Sequence, residues 1–103
     1  MVYFLYPDGS DAPSFPDFEF DETKSHVNLE KHGMDFEQAQ ALCLDPNRVE
    51  IPARPAGESR WMVIGMLGAR HWTAFITYRG ERVRLISVRR SRPAEVARYD
   101  DHH

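Results

Sequence analysis

The chain has one cysteine, Cys43, so no internal disulfide can staple it and no thiolate cage can form around a metal. Long apolar runs are also missing. The longest, from Trp61 to Leu67 with Gly65 inside it, is far short of the roughly 20 residues a membrane helix needs, and a soluble protein with no membrane partner is expected. The opening stretch MVYFLYPDGSDAP has no basic flank, no long apolar segment and no small-residue cleavage site. It does not read as a secretory signal, which favours the cytoplasm. Gly65, Gly68 and Gly80 occur singly, so no phosphate-cradling glycine loop is present. His26, His32 and His71 are scattered, and no Ser-His-Asp trio stands out. The terminal His102 and His103 carry no metal-binding meaning. No metal and no cofactor are therefore expected.

Charge is abundant but unevenly placed. Residues 1–58 hold 12 Asp or Glu against 4 Lys or Arg, whereas residues 59–103 hold 4 against 9. A chain divided in this way can present a cationic face to nucleic acid or an acidic partner, or its halves can neutralise each other across the fold. With 103 residues, 42% of them hydrophobic, it suits one domain with one small core. The expected division is an arm over 1–17, a folded domain over 18–99 and a tail over 100–103.

Along the chain, Phe18 to Phe20 forms a short extended piece. Asp21 stands where an N-cap belongs and Gly33 where a left-handed C-cap belongs, framing a helix over 22–32. Its apolar face is poor, since Val27 and Leu29 are two apart, while Lys24, Asn28 and Lys31 recur at i, i+4 and i+7 along one side. Such a stripe is either a solvated face or a ligand face. Asp35 and Gln38 make a capping box, and Phe36, Ala39, Leu42 and Cys43 form the apolar stripe of a core helix that stops before Pro46. A short strand and a loop rich in Pro and Gly follow over 47–58. From Arg60 onward three runs alternate with turns at Gly68-Ala69 and at 79–81, predicting an antiparallel meander. A helix from Pro93 to Tyr99 closes the chain, with proline in its first turn. The expected fold is α+β: two N-terminal helices, an antiparallel sheet of three to four strands, and a C-terminal helix.

The last strand ends in two adjacent arginines. Simple alternation puts Val83, Leu85, Ser87 and Arg89 on one side and Arg82, Arg84, Ile86 and Val88 on the other, so Arg89 and Arg90 point to opposite sides. Neither serves a core, and a guanidinium fork suits the two oxygens of a phosphate.

Two stretches also carry a resemblance. The pattern K-x-x-x-N-x-x-K-H-G-x-x-F-E-x-A over 24–39, followed at the right distance by LISVRRSRPAEVARY, resembles the BrnT family of toxins from bacterial type II toxin-antitoxin modules. The resemblance implies a fold similar to the RelE-type ribonuclease toxins and a metal-independent RNA-cleaving activity that arrests growth. It also implies a small BrnA-like antitoxin as partner, and contact with operator DNA through that complex. It places Arg79, Arg89, Arg90, Glu95 and Tyr99 at the presumed catalytic surface, with Lys24, Asn28, Lys31 and His32 as substrate-binding residues. The alternative it leaves is a non-catalytic subunit that binds the antitoxin and contributes to operon repression.

Metal-free cleavage by the ribose 2'-hydroxyl needs cations on the phosphate and groups that move protons. Glu95, His32, Lys31 and Tyr99 are candidates for the second task. Each also has a plainer reading: Glu95 as an N3 capping residue, His32 beside the C-terminal helix dipole, Tyr99 as a packed ring. The chain departs from the family in having Phe20 for the usual tryptophan, and in holding Arg92, Pro93, Val96 and Ala97 where relatives have a Thr start and further arginines.

Overall fold

The computed structural model describes residues 17–53 and 59–101. Residues 1–16 of the expected arm over 1–17, the loop at 54–58 and the last two histidines lie outside the described residues. The elements are β1 (Asp17–Glu19), α1 (Glu22–His32), α2 (Phe36–Cys43), β2 (Val49–Ala53), β3 (Arg60–Leu67), β4 (Arg70–Arg79), β5 (Arg82–Arg90) and α3 (Pro93–Asp101). No helix among the described residues is long and apolar enough to cross a membrane.

The sheet corrects the expectation of three to four antiparallel strands: it is mixed and has five, in the order β1-β5-β4-β3-β2. The added strand is β1, which pairs parallel to β5 with Asp17 opposite Arg82 and Glu19 opposite Arg84. Three residues are too few to display an alternation, and the partner lies more than sixty residues later, so no local signal announces the pairing. What joins them is charge. Glu19 lies 3.4 Å from Arg79, 3.5 Å from Arg82 and 3.6 Å from Arg84. Part of the acidic first half thus neutralises part of the basic second half side by side. β2 takes the other edge, where Pro52 costs no ladder bond if its missing N–H faces outward.

The helix caps form as their sequences dictate. Asp21 accepts from the Lys24 N–H at 3.0 Å, and Gly33 at φ 83° closes α1 in the left-handed region that glycine enters without strain. Asp35 and Gln38 exchange both capping-box hydrogen bonds. α2 is the apolar helix, burying Phe36, Ala39 and Leu42 against Val63, Trp72, Ala74, Ile76, Val83, Leu85 and Val88 of the sheet. Leu42 is fully enclosed, and its truncation to Ala would cost about 2–5 kcal/mol. Cys43 flanks this core, and burial pushes its thiol up to about 12.

α1 docks differently, because its only buried residues are Ser25 and Asn28. Ser25 Oγ accepts from the Phe36 N–H at 2.9 Å, and Asn28 reaches β5. Polar side chains hold α1 in place where an apolar stripe would normally do so.

Strand β5 is irregular. Phe75 pairs with Ser87 and Ile76 with Leu85, which leaves Ile86 as an extra residue in a bulge. The bulge overturns the simple alternation. Val83, Leu85 and Val88 all face the core, Arg90 follows on that side opposite Trp72, and Arg89 sits opposite Thr73 on the other.

Candidate functional site

At the end of β5 the two arginines have different surroundings. Arg89 is bound by Glu95 of α3 through two hydrogen bonds, Nη1 to Oε1 and Nη2 to Oε2, both 2.8 Å. Its guanidinium lies 5.2 Å from the centre of the Phe75 ring. Glu95 Oε1 also accepts from the Thr73 hydroxyl at 2.9 Å and from the Arg92 N–H at 2.8 Å. The capping role expected of this glutamate is therefore present, and the ion pair is added to it. The hydrogen bond from Arg89, with those from Arg92 and Thr73, outweighs burial and holds the Glu95 carboxyl down at about 2. The same contact raises the pKa of Arg89. A carboxylate held so far down is a weak proton acceptor near neutrality, and once ionised it has no proton to donate.

Arg90 is exposed, with its guanidinium 5.6 Å from the centre of the Trp72 ring. The indole face steadies the cation, and an exposed guanidinium offers the paired donors that suit the oxygens of a phosphate.

Between α1 and the bulge of β5 runs an open groove of about 260 Å³, lined by Lys24, Val27, Lys31, His32, Ile86 and Ser87, with Asn28 and Phe36 behind them. The i, i+4, i+7 stripe of the sequence is thus the wall of a cleft. Lys24, Lys31 and His32 are exposed, and Val27 lies between the lysines at 43% exposure. Asn28 is the exception within the stripe. It is buried, and its amide is spent on backbone: Nδ2 donates to Met34 O at 2.7 Å and to Val88 O at 2.8 Å, while Oδ1 accepts from the Val88 N–H at 3.2 Å.

The remaining expected residues lie elsewhere. Arg79 sits at the hairpin end of β4 beside Glu19, roughly 23 Å along β5 from Arg89 at the usual strand rise. Tyr99 is buried and its hydroxyl donates to Asp45 Oδ2 at 2.7 Å. Burial and that carboxylate push the phenol up to about 12. Asp45 also accepts from the N–H groups of Met66 and Asn47. Burial would raise its pKa, but these bonds together lower it. His71 packs edge-on against Tyr99 and meets Asp100 at 3.1 Å, fastening the end of α3.

The structure therefore brings Lys24, Lys31 and His32 together on the groove, while Arg90 follows Val88 on the core side of the sheet and is not among the residues that line the groove. Arg89 and Glu95 form a pair on the other side, and Tyr99 and Arg79 stand apart. Sequence reasoning missed Ile86 and Ser87 as groove walls, because only the bulge exposes them there. It also missed Thr73, whose sole signal is its place in the strand opposite Arg89. Among the described residues, no group of three or more His, Cys, Asp or Glu is arranged to hold a metal ion.

Residues 20–95 match a family model described as the ribonuclease toxin BrnT of a type II toxin-antitoxin system. No curated protein matches the chain.

Proposed function

The chain belongs to the BrnT family of ribonuclease toxins of type II toxin-antitoxin systems, and from that premise we propose that it cleaves RNA along the α1–β5 groove, using Arg90 as the phosphate-binding cation. Membership also implies an antitoxin partner. Our reading is of a cytoplasmic toxin that arrests growth until that partner, a small BrnA-like protein, covers the cationic surface. Operator DNA is then contacted by the complex rather than by the toxin alone.

The observation that carries the reading is the contrast between the two arginines. Arg89 has its fork filled by Glu95, whereas Arg90 is exposed two residues beyond Val88, which Asn28 ties to the α1 wall of a groove edged by two lysines and a histidine. An RNA strand lying in the cleft meets Lys24 and Lys31 through its phosphates. Arg90 binds the oxygens of the scissile phosphate, on which negative charge builds as the ribose 2'-hydroxyl attacks. The attack forms the 2'-O–P bond and breaks the P–O5' bond, leaving a 2',3'-cyclic phosphate and a 5'-hydroxyl. One group takes the 2' proton and another supplies a proton to the departing 5' oxygen. His32 and Lys31, both on the groove wall, are the groups proposed for these transfers. The chemistry needs no metal if the cationic side chains carry the charge. Arg89 and Glu95 support the strand end from behind.

The test is incubation of the purified protein with RNA, followed by analysis of the new ends. Cyclic phosphate and 5'-hydroxyl termini, lost with Arg90→Ala, are expected. Intact RNA beside tight binding of the antitoxin would point instead to a non-catalytic subunit.

A further inference from the structure

The buried amide of Asn28 serves no ligand in the geometry, yet it joins three separate pieces of the proposed site. It donates to Met34 O, two residues beyond His32, and it both donates to and accepts from the backbone of Val88, two residues before Arg90. His32 and Arg90 belong to different elements, and among the described residues no hydrogen bond ties either side chain to the other element. β1 pairs with β5 only as far as Arg84. Beyond it, Asn28 meets both polar groups of Val88 as a neighbouring strand would, just past the bulge at Ile86. Because α1 lacks an apolar docking stripe, this amide and Ser25 are its main buried ties to the rest of the chain.

We infer that Asn28 is a positioning residue for RNA cleavage, fixing the groove wall that carries His32 against the strand end that carries Arg90. The inference rests on the proposed ribonuclease reading. Arg90 lies about 7 Å along the strand from the residue Asn28 holds, so a slackened clamp displaces the phosphate-binding fork relative to the groove. A misplacement of about 1 Å in a reacting geometry can cost on the order of 100-fold in rate. The loss falls on kcat, because Lys24 and Lys31 still bind the RNA.

Ser25→Ala is the matching control, since it cuts a buried bond from α1 to α2 without touching β5. The experiment measures kcat and KM on RNA for the full chain and for Asn28→Ala, Ser25→Ala, Arg90→Ala and the Asn28→Ala/Arg90→Ala double variant. Amide exchange at Val88 and thermal stability are read alongside. Asn28→Asp is a second variant should Asn28→Ala not fold, because it keeps the acceptor for the Val88 N–H and removes the two donors.

The expected result is a fall of about 100-fold in kcat with little change in KM for the Asn28 variant. Faster exchange at Val88 should accompany it in Asn28→Ala, with no comparable fall in kcat for Ser25→Ala. The double variant should be scarcely slower than Arg90→Ala, since the clamp acts through that residue. Equal kcat losses in the Asn28 and Ser25 variants, or losses that multiply in the double variant, would overturn the positioning role while leaving the nuclease reading intact. A wild-type protein inert on RNA would overturn both.

Discussion

Arg89 and Glu95 face each other in a two-pronged ion pair, both contacts 2.8 Å, across the junction between the last strand and the last helix. The partners keep only 20% and 12% of their side chains exposed. Of two neighbouring arginines of identical chemistry, one has thus become part of the scaffold. The other stays exposed, with its guanidinium 5.6 Å from the centre of the Trp72 ring.

The two should fail in different ways when removed. Arg90→Ala is expected to lower RNA cleavage by about 100- to 1,000-fold, the effect of losing one donor aimed at a developing oxyanion, with the melting temperature almost unchanged. Arg89→Ala strands a carboxylate and should cost about 2 kcal/mol of stability, in line with hydrogen bonds to charged groups. Parallel turnover and denaturation measurements on the two variants check this. Equal effects on both quantities would contradict the division of labour.

Glu95 makes stability depend on acidity in a defined window. Its carboxyl is held at about 2 against an ordinary value of 4.5, chiefly by the hydrogen bond from Arg89. A group whose pKa is depressed by folding stabilises the protein above its unfolded value, and that contribution fades as the pH falls through the folded one. The stability gap between wild type and Glu95→Gln should therefore be full near neutrality and close between about pH 4.5 and pH 2. Melting temperatures of both proteins taken across that range provide the check.

Tyr99→Phe removes the hydroxyl that donates to Asp45 and keeps the ring against His71. A loss of about 1 kcal/mol in stability is expected, with kcat on RNA preserved. A large fall in kcat in a folded Tyr99→Phe protein would return this phenol to the chemistry.

Replacing Lys24 and Lys31 together by Gln should weaken RNA binding and flatten its dependence on salt. Two lost phosphate contacts reduce the slope of log K against log salt by about 1.4 for a single strand. Binding titrations at several salt concentrations give the slope directly, and an unchanged slope would place the RNA elsewhere.

Much of this was open to inspection in the sequence, because the signals were local. Asp21, Gly33, Asp35 and Gln38 act within one turn of chain, and the helices they bound appear where those residues demand. The stripe of Lys24 and Lys31 was visible as a face, though not as a wall, because the opposite wall comes from a bulge some sixty residues away. Asn28 looked like one more member of that stripe. Its burial depends on Met34 and Val88 meeting above it, which no spacing reveals. Glu95 was readable as a cap from its distance to Arg92. Its pairing with Arg89 needed the reversal of sides that Ile86 imposes. The short extended piece at Phe18 to Phe20 was legible, but its place in the sheet as β1 was not, because its partner lies at the far end of the chain.

Ile86 also says something about how this strand tolerates change. Its neighbours Leu85 and Ser87 already oppose consecutive residues of β4, so the loss of its single codon would let the ladder close over the gap with every remaining side chain facing as before. Such a shortened protein should still fold, with a straighter final strand and a shallower cleft. Sidedness in β5 would survive that deletion, and curvature would not.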